Sequence, residues 1–169
     1  MIAKDQEQQI GIDSGVLAWV DSDTNLMWEV KNRDNINAMY TWHKRYKKEG
    51  LSQNNKWLNP DLVDCHSFVE KMNRERYAGF DDWRLPTKDE LISLVAQENE
   101  NLKIKAPLSA SCPAYWSDTP TFVVNMVSFT ADWKLTGHIE GIRIVDFKQG
   151  EEFEYKPENT LWLRCVRNA

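Results

Sequence analysis

The stretch Trp83-Arg84-Leu85-Pro86-Thr87-Lys88-Asp89-Glu90-Leu91 restricts the fold more than any other part of the chain. Pro86 has no backbone N–H and biases the residue before it toward extended geometry, which keeps Trp83–Leu85 out of a helix. Thr87 then opens one. Its hydroxyl is placed to accept from the third helical N–H, and Glu90 stands there to reach back to Thr87, a capping box. Leu91, Leu94 and Val95 follow as the face this helix buries. Trp83 and Leu85 anchor the extended lead-in to the core, while Arg84 between them suits exposed carbonyls or a carboxylate. Such a motif is scaffold rather than chemistry.

A helix is also predicted ahead of it. Asn59-Pro60-Asp61 combines a capping Asn, a Pro at the first helical position and an acid near the positive dipole end. Leu62, Cys65, Val69 and Met72 form an apolar stripe, and Gly79 supplies the stop. Val16–Val20 and Leu26–Val30 flank an Asp-Ser-Asp turn and read as a hairpin. Thr121–Phe129, Ile139–Phe147 and Thr160–Arg167 are rich in β-branched and aromatic residues. In the last, Leu161, Leu163 and Cys165 alternate with Trp162, Arg164 and Val166, the pattern of a strand buried on one side. Lys31–Asn59 and Gln97–Ser111 read as long polar loops. The sum is an α+β chain with two helices packed beside antiparallel sheets. Residues 1–20 form an N-terminal extension with the first strand, and residues 21–169 a single domain.

At 169 residues, with 41% hydrophobic and 28% charged residues, the chain is of a size to bury a core. Those values exclude a collagen-like, a disordered and a disulfide-only chain. A net charge of -5 argues against nucleic acid as a partner, because phosphate binding starts from a positive surface. No apolar run reaches the roughly 20 residues of a membrane span. Met1–Ile10 is polar and lacks an apolar signal core, which fits either synthesis without export or a mature chain whose signal has been removed.

Catalytic and metal signatures are absent from the sequence: there is no G-x-S-x-G, phosphate-binding Gly-rich loop or H-E-x-x-H. No cofactor is expected. His43, His66 and His138 read as structural or solvated, and Asp21, Asp23, Asp81 and Asp82 as turn caps rather than calcium ligands. Of three cysteines, Cys112 lies in a loop beside Pro113. Cys65 and Cys165 both face the core, where spacing leaves two outcomes open: buried free thiols, or a disulfide closing a loop of about 100 residues, worth about 4.7 kcal/mol in a chain-entropy model. Eight tryptophans exceed the usual share, and each serves either the core or a ligand face.

Several segments, in order, resemble the bacterial Lcl C-terminal domain family: Asp23–Lys31, Tyr40-Thr41-Trp42, Cys65–Asn73, Gly79–Val95, Tyr115–Pro120 and Leu163–Arg167. The resemblance spans residues 23–167 and implies a C-type-lectin-like fold, in which a helix cysteine commonly bonds one in the last strand. That implies a Cys65–Cys165 disulfide. It also implies a ligand on the loops and strands of the second half, where Trp116, Asp118, Asp132, Trp133 and His138 stand. Two indoles with nearby carboxylates suit the apolar face and hydroxyls of a sugar. The Glu-Pro-Asn and Trp-Asn-Asp signatures of calcium-dependent lectins are missing from the sequence.

The leading expectation is therefore a non-catalytic binding module for a glycan or protein ligand at the cell envelope or surface. A cytoplasmic interaction subunit, phage-encoded or toxin-neutralising, is a second. Arg84-Leu85-Pro86-Thr87 also resembles a motif of formylglycine-generating enzymes, but those use a close cysteine pair near the C-terminus, and Cys165 has no such neighbour in sequence.

Overall fold

The computed structural model describes residues 14–42, 64–96, 103–105, 108, 113–129, 132–157 and 159–169, with the backbone alone for 122–129 and 132–140. Strands β1 (Ala18–Asp21) and β2 (Leu26–Glu29) form the expected hairpin, with Ala18 opposite Glu29 and Asp21 opposite Leu26. The Asp21 carboxylate closes its turn, accepting from the Asp23 N–H and the Thr24 hydroxyl, while Asn25 takes a left-handed φ of 55°. Asp81 and Asp82 do not cap turns as expected. They pair with Arg76 and Arg167, and the Arg167 hydrogen bonds lower the Asp82 pKa.

Strand β6 (Val166–Asn168) completes a three-stranded antiparallel sheet in the order β1-β2-β6. A second antiparallel sheet runs β3-β4-β5, from β3 (Ala114–Phe129), β4 (Asp132–Asp146) and β5 (Glu151–Tyr155). β3 and β4 are longer than their sequence patterns suggest, and β5 is rich in Glu, a residue depleted in strands. Its Glu-Glu-Phe-Glu-Tyr sequence is mostly exposed, and it pairs at the sheet edge, where Glu152 meets Lys88.

Helix α1 spans Cys65–Arg74, shorter than its signals predict. Asn59–Asp61 and Leu62 lie outside the described residues. The start is set by Asp64, extended at φ -77° and ψ 162°, whose carboxylate accepts from the N–H and hydroxyl of Ser67. The end comes five residues before Gly79, because left-handed Arg76 breaks the helix and a short 3-10 turn, Tyr77–Gly79, follows. Helix α2 (Lys88–Ser93) opens on Thr87 with both hydrogen bonds of the capping box. The lead-in docks as expected: Arg84 exchanges backbone hydrogen bonds with Val166, and the Asn73 amide bonds the N–H and carbonyl of Trp83.

The buried residues form two clusters. One gathers Tyr40, Trp42, Cys65, Trp83, Trp116 and Leu163; the other Trp28, Leu91, Leu94, Tyr115, Phe147 and Val166. This arrangement corrects the reading of the last segment as one-sided. Leu161, Leu163 and Cys165 enter the first cluster, yet Arg164 and Val166 on the alternate positions are also fully buried. The segment contributes to both cores, with Trp162 the partly exposed member of the alternate side.

The implied disulfide is also corrected. Cys65 and Cys165 do share the first cluster, but as free thiols. Burial pushes both pKa values well up, and a protonated thiol does not attack sulfur. Cys112 lies outside the described residues.

Between the cores sits a buried ionic group. Glu29 and Lys31 are paired at 2.9 Å with side chains 0% and 3% exposed. The remaining Glu29 lone pairs accept from the Asn35 amide and the Cys165 backbone N–H, each at 2.9 Å. Arg164 donates to the Glu29 carbonyl and lies over the Tyr115 ring. Removing one member of such a pair leaves its partner charged in the core. Glu29→Ala is therefore expected to cost about 3–5 kcal/mol in urea unfolding. Trp83→Ala and Leu94→Ala should each lose roughly 2–5 kcal/mol through the cavity they leave. A Glu29→Ala loss below 1 kcal/mol, roughly that of an exposed pair, would mean the pair contributes no net stability.

Candidate functional site

Where β3 leaves the core, its pairing with β4 breaks register between Trp116 and Pro120. Hydrogen bonds to other elements hold this irregular segment: the Trp42 indole N–H donates to the Ser117 carbonyl at 3.0 Å, the Ser117 hydroxyl to the Arg143 carbonyl, the Asp118 N–H to the Pro86 carbonyl at 2.7 Å, and the Lys88 N–H to the Thr119 hydroxyl at 3.0 Å. Trp116 points inward while Asp118 stays at the surface. Asp118 thereby meets α1 and the Arg84–Leu85 lead-in across a cleft of about 220 Å³, lined by His66, Val69, Glu70, Arg84, Leu85 and Asp118.

Four of the lining residues are polar or charged and two are apolar. His66 and Glu70 stand four apart on α1, hence on one face of the helix. The Trp42 ring sits edge-on against His66, with centroids 5.1 Å apart. Arg84 is committed to Glu90 by two hydrogen bonds of 2.6 and 2.7 Å, which raise its pKa. Burial pushes the Glu90 carboxyl up, but bonds from Arg84 and the Thr87 backbone outweigh it and leave the pKa lowered. Asp118 is the reverse case. Burial raises its pKa, opposed only in part by His66 and Arg84. A larger, more open groove of about 720 Å³ lies between β1 and the 3-10 turn, with a mainly apolar floor that includes Leu17, Met27 and Phe80.

Of the two residues expected to bind ligand whose side chains are described, Asp118 is placed at this cleft and Trp116 is not. Trp116 is fully buried, its indole N–H donating to the Tyr40 carbonyl at 2.8 Å, so it has no surface to offer. The side chains of Asp132, Trp133 and His138 lie outside the described residues. Their backbones pair with Phe129, Ser128 and Val123 on the outer part of the β3–β4 ribbon. Trp133 stands eleven residues before Ile144, the partner of Trp116, which is roughly 35 Å along an extended strand. The expected set is thus spread along a ribbon rather than gathered. His43 also lies outside the described residues.

With this geometry in view, comparison with known proteins gives one finding: a model of the Lcl C-terminal domain matches residues 18–167. The chain belongs to that family. No curated protein and no solved structure matches it. The match to the Lcl C-terminal domain begins at the first residue of β1 and ends inside β6, so both sheets and both helices belong to the family unit. Within it the capped W-R-L-P-T segment holds the helix and Asp118 in place. Among the described residues no helix is long and apolar enough to cross a membrane.

His66, Glu70 and Arg84 as a group escape the sequence reading. The spacing of His66 and Glu70 on α1 was visible, but the approach of these two and Arg84 to Asp118 arises only from the irregular β3 segment. A raised carboxyl pKa means that the folded chain holds the proton to higher pH than the unfolded chain. Stability therefore falls as pH rises between the two values, and the cost persists above them. Asp118→Asn should remove this cost, leaving stability at neutral pH equal to or above the parent in urea titrations. A clear loss of stability would make the carboxylate a structural element instead.

Proposed function

We propose that the chain is a non-catalytic binding module, C-type-lectin-like in kind, that takes a glycan or protein ligand at the bacterial cell envelope or surface. The observation that carries this reading is the cleft at Asp118, where a carboxylate is kept at the surface against the cost of partial burial. Groups retained at such a cost are typical of recognition sites. The reactive side chains elsewhere favour binding over catalysis. Both described thiols are buried and held protonated, and Glu29, Lys31 and Arg164 are spent on structural bonds. That weighs against the formylglycine-generating alternative, which needs an accessible cysteine pair.

One observation favours a second reading, the cytoplasmic interaction subunit: Cys65 and Cys165 are free thiols, as reducing compartments keep them. The two share a binding role and differ in where the partner is found.

A glycan and glycosaminoglycan array, run with calcium and with chelator, tests the binding role. Chelator-resistant binding that is lost in Asp118→Ala or Trp133→Ala, with the Tm retained, is the expected result. Absence of any glycan signal, together with no protein retained from envelope or cytosolic fractions, would sink it. A large fall in Tm for Trp133→Ala would assign that residue to the core.

A further inference from the structure

The cleft at Asp118 has a charge pattern that selects its occupant. Arg84 is already neutralised by both oxygens of Glu90, and its third contact is the Leu85 carbonyl. The Asp118 and Glu70 carboxylates, by contrast, make no hydrogen bond or ion pair with a described residue. The site thus presents two uncommitted acceptors, with His66 beside them and Val69 and Leu85 as apolar walls. Its volume of about 220 Å³ is below the roughly 300–1,000 Å³ typical of small-molecule pockets. Among the described residues no Trp, Tyr or Phe ring lines it to carry a sugar face, since Trp42 and Trp116 are buried.

A slender aliphatic stem ending in a cation satisfies every one of these features. We infer that the cleft receives a lysine side chain of a partner protein, its methylenes against Val69 and Leu85 and its ammonium between Asp118 and Glu70. The stem of lysine buries along apolar surface while its head seeks polar groups, and its compact ammonium makes three donor contacts. A chain of net charge -5 also attracts a basic partner at long range. Arginine is the poorer fit, because its planar fork is matched to a single carboxylate in bidentate geometry, whereas the cleft lining holds two separate ones. This inference rests on the binding-module reading and narrows its ligand from glycan or protein to protein.

The test is an NMR titration of the intact ¹⁵N-labelled chain with Nα-acetyl-lysine amide, with the same compound acetylated at Nε, and with glucosamine. Saturable shifts at the Glu70 and Asp118 amides are expected with the first probe. Nε-acetylation should weaken them by roughly fivefold or more, as should Glu70→Gln and Asp118→Asn, neither of which lowers the Tm. Equal response to the acetylated probe, stronger response to glucosamine, or no saturable shift would each overturn the lysine assignment. Array binding to a glycan that survives Glu70→Gln would overturn it while leaving the module standing. Loss of both lysine and glycan binding, with no protein partner retained, would remove both.

Discussion

A buried carboxylate bonded on both oxygens anchors this structure from the inside. Glu29 meets the last segment twice, through its backbone and through its side chain: its N–H donates to the Cys165 carbonyl, and its carboxylate accepts the Cys165 N–H. Lys31 balances the charge, and Arg164 ties the Glu29 carbonyl to the same segment. From there the order passes outward by hydrogen bonds. Val166 fixes Arg84, the lead-in to α2 follows, and the Pro86 carbonyl accepts the Asp118 N–H. A surface carboxylate is thus held in register by a charge sealed between the two cores.

The two ionic groups are built on opposite principles. Glu29 is surrounded by donors that meet its lone pairs, which is what makes a charge tolerable in a core. Asp118 is partly desolvated with few partners, so burial raises its pKa and the fold bears the cost. Arg84, close to Asp118 in the cleft, could have relieved it, but Glu90 takes both forks of the guanidinium while capping α2. The helix cap and the surface site are therefore linked: one salt bridge both secures the fold and leaves a carboxylate uncommitted.

Membership of the Lcl C-terminal domain family covers the whole folded unit, and it does not by itself assign a ligand, because function resides in sites carried on a fold. In this chain the site argument rests on where β3 loses register. The regular pairing on either side is scaffold. The three-residue irregularity places Asp118 at the surface, two residues after an indole that is packed in the core.

Local physical chemistry was legible wherever a residue's own backbone demanded it. Pro86 forced extension, Thr87 and Glu90 capped α2, and the Asp21–Asn25 turn closed the first hairpin, all through contacts within a few residues. What distant segments supply was not legible. The end of α1 at Arg74, the pairing of acid-rich β5 and the burial of Arg164 on an apparently outward position depend on neighbours far along the chain. So does the fate of the site residues. Sequence order groups Trp116 with Asp118, which a regular strand would put on one face; the register break after Trp116 interrupts that alternation, so one enters the core and the other reaches the surface. The sequence alone determined the capped motif and the α+β class, because these follow from short-range sterics and hydrogen bonding, and it carried the family in the order of its motifs along the chain. Only the tertiary structure decided that His66, Glu70, Arg84 and Asp118 share a cleft, because packing between two cores brings together groups that no local rule connects.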